Sequence, residues 1–259
     1  MKNTPSTAAA RAATAWQRLR PEELPGIFYA YDADSGHSER VVTYALEHKA
    51  LARLAEHAQP SPDFAFVVHL GVETDRLSRE IPETPAFTLF LQPVNEKTDG
   101  PDYRHCEELS WEANGRFSTI DPTDSNSPRE AIPAAAAYLF VRSWQELPEP
   151  ELAQPFTATN RVLGERVRSF RFSNEESLTM LADIRTSLDS DRPGLAVHLG
   201  NGIAIWSHPF SFRPVVEIRG AVTDDHAPLP NGRRVSGLSN GDGDSFYDFS
   251  YPDPPGTEG

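Results

Sequence analysis

The sequence has little cysteine and no long apolar run, and each of these shortages makes some classes of protein less favourable. Cys106 is the single cysteine, so no intrachain disulfide can form and a disulfide-stapled secreted fold is disfavoured. No apolar run approaches the roughly 18 residues of a membrane span. The N-terminal residues lack the apolar core of a secretory signal. These shortages predict a cytoplasmic protein that does not act at a membrane.

Familiar catalytic motifs are also missing from the sequence. It contains no glycine-rich dinucleotide fingerprint, no phosphate-binding loop, no Gly-x-Ser-x-Gly elbow and no paired-cysteine zinc spacing. The common nucleotide-dependent and serine-hydrolase chemistries are therefore disfavoured. The sequence does not decide whether the chain catalyses any reaction, and it favours binding.

Acidic residues outnumber basic residues by 38 to 24, which gives a formal net charge of −14. Arg233 and Arg234 form the one notable basic cluster, whereas nucleic-acid binding needs a concentrated basic face. Nucleic acid is therefore not the expected partner, and a protein with a basic surface is. Self-association into a homo-oligomer stays open. Only 3 of the 24 basic residues are lysines, a bias that favours a GC-rich, bacterial genome.

Periodicity predicts an α+β fold, with a mixed or antiparallel sheet and helices packed on one face. A chain of 259 residues is long enough to bury a sizeable core. Apolar positions at helical spacing predict helices. The predicted helices cover 8–19, 38–57, 133–147 and 173–188, and strands are predicted at 27–32, 64–70, 87–92 and 166–172 and within 194–220.

One pattern occurs twice along the chain. Phe64 to Val94 and Gly194 to Gly220 share an apolar entry, a Val-His-Leu-Gly exit and a later strand. This repeated pattern predicts two related strand-helix-strand-strand halves that arose by duplication. The alternative is that the same order of elements occurs twice simply because it is common in α+β folds. The predicted parts are an N-terminal helix and linker (1–25), a first half (26–147), a Pro/Glu linker (148–155), a second half (156–220) and an acidic tail (221–259).

His69 and His198 end the two matching apolar strands, 129 positions apart. Side chains alternate along a strand, so each histidine lies on the face that carries the smaller neighbours. If the halves pack symmetrically, the two imidazoles would line a cleft as a general base, an anion contact or part of a metal site. Trp206 and His208 follow in a loop and would complete a ligand pocket. The alternative is that each histidine is hydrogen-bonded at the edge of the core.

Asp242, Asp244 and Asp248 place oxygen ligands at alternate positions, as calcium loops do. Ser245 stands where that pattern requires glycine, and Tyr251 stands where it requires a bidentate glutamate. The segment therefore predicts a Gly/Asp-rich turn, with a weak calcium site as the alternative. No other cofactor is expected.

The acidic tail contains aromatic residues that are costly to leave in water, so we expect it to dock through Phe246, Tyr247, Phe249 and Tyr251. With a strongly acidic chain and no catalytic motif, the leading hypothesis is an acidic interaction or regulatory protein. An immunity protein, an inhibitor or an assembly component would fit this description. The alternative is a small-molecule-binding protein or enzyme with a histidine-lined cleft between the halves.

Overall fold

A computed structural model describes residues 5–32, 36–77, 82–95, 103–113, 132, 134–158, 166–202, 210–222, 243–248 and 250–253. Its helices are α1 (Pro5–Arg18), α2 (Leu24–Ile27), α3 (His48–His57), α4 (Ala134–Glu146) and α5 (Asn174–Leu188). Its strands are β1 (Tyr29–Asp32), β2 (His37–Arg40), β3 (Thr43–Leu46), β4 (Ala65–Val72), β5 (Phe87–Val94), β6 (Glu107–Glu108), β7 (Ser110–Trp111), β8 (Ser169–Phe172), β9 (Gly194–Asn201), β10 (Phe212–Val222), β11 (Gly243–Tyr247) and β12 (Ser250–Asp253).

The predicted α+β class is confirmed, with two large antiparallel sheets in place of one. Sheet I has the strand order β11-β10-β9-β3-β7, and sheet II has the order β12-β8-β4-β5-β6. Every described ladder is antiparallel, including the small β1-β2 pair. None of the described helices is long and apolar enough to cross a membrane.

The two large sheets are built the same way. When residues 5–113 are taken as the N-terminal half and residues 132–253 as the C-terminal half, in place of the predicted 26–147 and 156–220, each sheet has three strands from one half and two from the other. Strand β3 pairs with β9 in sheet I, and β8 pairs with β4 in sheet II. Both sheets therefore contain strands from before and after the predicted linker at 148–155. That segment folds into short 3-10 turns and buries Leu152 completely. The proposed domain boundaries stay a prediction.

The main hydrophobic core lies between the two sheets and includes side chains of α3 and α5. Helix α1 packs on β4 and α4 packs on β9, each on the sheet face that points away from this core. Helices therefore lie on both faces of the sheets, where the sequence predicted one. A small satellite cluster lies beneath each outer helix.

Two buried tryptophans tie each outer helix to the strand entry of the opposite half. The indole nitrogen of Trp16 on α1 donates to the carbonyl of Val167, at 2.7 Å. The indole nitrogen of Trp144 on α4 donates to the carbonyl of Val41, at 2.9 Å. Each valine lies two residues before an exchanged strand, β8 or β3. The same contact therefore occurs twice, with the halves exchanged.

Two arginines repeat this exchange at the ends of the outer helices. Arg166 donates to the carbonyls of Trp16 and Leu19 at the end of α1. Arg40 donates to the corresponding carbonyls at the end of α4. A helix leaves its last carbonyls without intrahelical donors, and a cation favours that end of the helix dipole. Each half thus caps the other half's outer helix.

Two phenylalanines meet at the centre of the core. Phe28 and Phe156 stack with ring centroids 5.3 Å apart and planes 7° apart. Trp16 contacts Phe156 edge-on at 5.1 Å, and Trp144 contacts Phe28 edge-on at 5.2 Å. Such aromatic pairs add stability beyond their buried area. The centre of the core is therefore built from matching residues of both halves.

The glycine after each His-Leu pair lets an outer helix approach its sheet. A Cβ at Gly71 would lie 2.8 Å from the Cβ of Ala12 on α1. A Cβ at Gly200 would lie 3.1 Å from the Cβ of Phe140 on α4 and 2.8 Å from a strand carbonyl. The repeated His-Leu-Gly sequence is thus explained by two close helix–sheet contacts.

The helix predicted at 38–57 is wrong in its first half. Residues 37–46 form β2 and β3, and the helix begins only at His48. The apolar residues Val41, Tyr44 and Ala45 fit both a helical and an extended pattern, and pairing of β3 with β9 selects the strand. The helices predicted at 8–19, 133–147 and 173–188 are confirmed, and the last begins with a Ser173/Glu176 capping box. Residues 203–209, part of the stretch 194–220 that was predicted to contain strands, lie outside the described residues.

Candidate functional site

His69 lies on β4 beneath α1 and is only 4% exposed. Its Nε2 atom lies 2.7 Å from Oε1 of Gln92 on the neighbouring strand β5. The side-chain nitrogen of Gln92 donates to the carbonyl of Arg104, so its oxygen accepts from His69. The ring of Tyr103 packs beside the imidazole, with centroids 4.9 Å apart. His69 is therefore paired with an amide side chain under the helix.

His198 lies on β9 beneath α4 and has ionic neighbours. Its Nδ1 atom is 3.0 Å from Oγ1 of Thr43, and its Nε2 atom is 3.0 Å from Oε2 of Glu217. Arg219 donates to the same Glu217 oxygen and also reaches Glu112 at 3.4 Å. A chain of polar groups thus runs from a buried hydroxyl to the protein surface.

Glu217 is fully buried yet favours its charged form. Burial by itself raises the pKa of this carboxyl, but the hydrogen bond from His198 and the charge of Arg219 outweigh it and lower the pKa below its ordinary value. The ionised carboxylate accepts from Nε2 of His198, and Nδ1 shares a hydrogen bond with the Thr43 hydroxyl. Its second oxygen, Oε1, has no hydrogen-bond partner among the described residues.

The two histidine sites correspond position by position. His69 is the fifth residue of β4, and His198 is the fifth residue of β9. The ladders pair His69 with Ser169 at the start of β8, and His198 with Thr43 at the start of β3. Gln92 and Glu217 lie two residues beyond the respective cross-strand neighbours of the histidines. At His69 the partner on the neighbouring strand is an amide, and at His198 it is a carboxylate.

The Thr43–His198–Glu217 group has the donor order of a nucleophile, base and acid set. Its exposures are 1%, 1% and 0%, so no substrate reaches the hydroxyl in this structure. What the arrangement does here is satisfy buried polar atoms and connect β3, β9 and β10. The His69–Gln92 pair under α1 likewise satisfies buried polar atoms, and it connects β4 with β5.

The structure does not bring His69 and His198 into one cleft. They lie in different sheets, and each faces its own outer helix, away from the main core. Trp206 and His208 lie outside the described residues. A ligand role for any of these four residues stays a prediction, and it now concerns two separate sites.

The predicted cation ligands are described only in part. Asp242 lies outside the described residues, and Asp244 lies in β11 with no description of its side chain. Asp248 is 8% exposed, and burial raises its pKa to about 7 despite the nearby charge of Arg213. In the part of the chain that the structure describes, no three His, Cys, Asp or Glu side chains form a metal-binding group.

Tail docking is confirmed where it is described. Phe246 and Tyr247 are 4% and 0% exposed, and β11 pairs with the long strand β10. The segment Gly243–Tyr247 is therefore a strand, where a Gly/Asp-rich turn was predicted. Phe249 lies outside the described residues, and the side chain of Tyr251 is not described.

No protein-family model, curated protein or solved structure matches this chain. Its function is therefore argued from its own residues. The described residues form a surface depression that sequence reasoning did not anticipate.

This depression, which we call the α1 groove, has a volume of about 560 Å³. It lies between one face of α1 and the turn that follows β4. Its lining residues are Thr7, Ala10, Arg11, Thr14, Ala15, Arg18, Leu19, Thr74 and Leu77. The residues from α1 recur every three or four positions, so they share one helix face.

A smaller depression of about 250 Å³ lies beside the exposed end of the His198 network. Glu39, Arg40, Trp111 and Glu112 contribute to it. Arg40 is already engaged with the end of α4, and Glu112 with Arg219. Its polar groups are thus largely paired within the protein.

Proposed function

We propose that this chain is an acidic interaction or regulatory protein that binds a protein partner with a basic surface. An immunity protein, an inhibitor or an assembly component would act in this way. We place it in a bacterial cytoplasm. A formal charge of −14 attracts a basic partner at long range and speeds its encounter.

The observation that carries this proposal is a pair of turns, which we call the acidic turns, Pro21–Glu23 and Glu149–Glu151. The second turn packs against α2, which directly follows the first, so both belong to one region of the surface. Glu22, Glu23 and Glu149 are exposed and Glu151 is half-buried. Arg20 pairs with Glu22 and Glu23, whereas Glu149 and Glu151 form no ion pair with the described residues.

We further propose that the chain arose by internal duplication, with units near 5–111 and 134–253. Matching tryptophans, arginines, phenylalanines, histidines and glycines support this proposal, as do matching sheet orders. The acidic turns are corresponding segments in this scheme, each following an outer helix. A duplicated protein would therefore present its acidic turns together on one surface.

The alternative is a small-molecule-binding protein or enzyme that uses the histidine sites. The donor order of Thr43, His198 and Glu217 is the observation that favours it. It requires α4 to move, because the three side chains are sealed beneath that helix. An unchanged ligand affinity in the separate variants His69→Ala and His198→Ala would count against it.

The primary proposal is tested by capturing a partner on tagged full-length protein and then measuring its affinity with purified components. We expect a partner with a basic surface whose affinity falls as salt rises. The variant E22K/E23K/E149K/E151K should lose most of that affinity. Its control, E56K/E175K/D189K/D191K, makes the same change in net charge at exposed positions elsewhere and should keep it.

Equal binding by both charge variants would contradict the proposal that the acidic turns form the contact. A captured partner without a basic surface would contradict the proposal as a whole.

A further inference from the structure

The α1 groove combines an apolar floor with two arginines, and this combination sets it apart from the acidic chain around it. Ala10, Ala15, Leu19 and Leu77 supply apolar surface, and Leu77 is 41% exposed. The hydroxyl of Thr14 donates to the carbonyl of Ala10, so it is satisfied within the helix. Covering such a groove with apolar side chains is favourable, because it removes apolar surface from water.

Arg11 and Arg18 border the groove, and both are exposed. They are seven residues apart, so they lie on the same face of α1, about 10 Å from each other along its axis. Neither makes a hydrogen bond or ion pair with the described residues, whereas Arg20, Arg53 and Arg142 each pair with a glutamate. Two arginines without an ion pair among the described residues, next to an apolar groove, fit a ligand that is both acidic and apolar.

The groove also has a rigid base. Helix α1 is fixed on β4 by the close contact of Ala12 with Gly71, and its Trp16 and last carbonyls are held by the opposite half. The lining residues Thr7 to Leu19 extend about 18 Å along the helix, the length of a three-turn helical segment. Such an open, elongated shape is typical of a groove that receives a helix.

The corresponding face of α4 differs in chemistry. Leu139 and Glu146 stand where α1 has Arg11 and Arg18, and Leu139 is 62% exposed. Arg142 on that face pairs with Glu146 at 2.7 Å. The two outer helices therefore present different surfaces, and α1 carries two arginines that have no ion pair with the residues that the structure describes.

We propose that the α1 groove binds an amphipathic segment of a partner protein, with an apolar stripe and two acidic side chains about two helical turns apart. This inference deepens the proposed function, because the acidic turns attract a basic surface and the groove receives one acidic segment of the same partner. The two contacts are separate regions of the chain, so each can fail alone.

The test uses a fluorescent helical peptide with a leucine stripe and two glutamates seven residues apart, and a copy with lysine for each glutamate. Full-length wild-type protein should bind the glutamate peptide about tenfold more tightly than the lysine peptide, since each surface ion pair contributes up to about 1 kcal/mol and 1.4 kcal/mol is tenfold. The variant R11E/R18E should reverse this order. The control R142E/R185E makes the same charge change on exposed helical positions elsewhere and should leave it unchanged.

A second variant, Leu77→Ser, tests the apolar wall without altering charge and should weaken both peptides. Amide shifts on binding should map to residues 7–19 and 74–77. Equal affinity for the two peptides would overturn the proposal, as would binding of an apolar anion such as oleate with no binding of either peptide. Loss of peptide discrimination with intact partner binding at the acidic turns would contradict the groove proposal alone.

Discussion

At the scale of single residues, the structure contains two buried acids with opposite behaviour. Glu217 is held charged by His198 and Arg219, whereas burial raises the pKa of Asp248 to about 7 and so favours its neutral form below that pH. Glu217 lies in the long strand β10. Asp248 directly follows β11, the strand that pairs with β10. Because a shifted pKa links protonation to folding, the two acids predict opposite changes of stability with pH.

The Asp248→Asn variant tests the neutral acid. Its pKa is raised from 3.8 to about 7, so the folded protein keeps a proton that the unfolded chain releases. The stabilisation by protonated Asp248 is complete below about pH 4 and is lost as the pH rises through 7. As the pH rises from 4 to 8, wild type should lose stability that D248N keeps. The unfolding free energy of D248N minus that of wild type should therefore increase by on the order of 4 kcal/mol. Urea unfolding across this range measures it, and a constant difference would contradict it.

The Glu217→Gln variant replaces the carboxylate next to His198 with an amide, the group that pairs with His69. His198 keeps a hydrogen bond, but Arg219 loses a carboxylate, so the unfolding free energy at pH 7 should fall by about 1–2 kcal/mol. The depressed pKa of Glu217 gives a stabilisation that is present above about 4.5 and lost as the pH falls. The deficit of E217Q should therefore shrink towards pH 3. A deficit that grows on acidification would show that Glu217 is not held ionised.

At the scale of secondary-structure elements, the outer helices depend on two glycines. Gly71→Ala and Gly200→Ala place a methyl group within 2.8 Å of Ala12 and of a strand carbonyl, respectively. Each should lower the unfolding free energy by about 1–3 kcal/mol, because the helix or strand must shift. Gly194→Ala is the matched control, since its Cβ would meet only a flexible arginine side chain at 3.4 Å. Thermal denaturation compares the three, and equal effects would contradict the close-contact explanation.

At the scale of the whole molecule, neither half completes its own sheet. Strand β3 needs β9, β8 needs β4, and each outer helix is capped from the opposite half. Two fragments cut between residues 113 and 132 should therefore be unfolded or aggregated alone, and should form a one-to-one native complex when co-expressed. Size-exclusion chromatography with circular dichroism tests this. Two stable, separate fragments would contradict the exchange of strands.

Much of this architecture was readable from sequence periodicity. The helices α1, α4 and α5, the strands β4, β5 and β9, and the docking of Phe246 and Tyr247 were all predicted. The Val-His-Leu-Gly echo pointed to equivalent positions. It did not reveal that the histidines face opposite outer helices, because alternation fixes the face of a strand and not the element that covers it.

Two further sequence signals were missed. Trp16 and Trp144 each begin the pattern Trp-Gln-x-Leu, and Arg40 and Arg166 each lie within the pattern Glu-Arg-Val-x-Ser/Thr. Comparing these repeats would have extended the echo back to α1 and predicted that 37–46 leads into a strand, as 165–172 does. The α1 groove had no such signal, since its second wall comes from a turn distant in sequence.

The central claim is that this chain acts by binding a protein partner through the acidic turns. Hydrogen–deuterium exchange of the full-length chain, alone and with its purified captured partner, tests it most directly. The account predicts slower exchange on binding in peptides that contain residues 21–27 and 149–153. Unchanged exchange in both peptides, with protection confined to other parts of the surface, would contradict it.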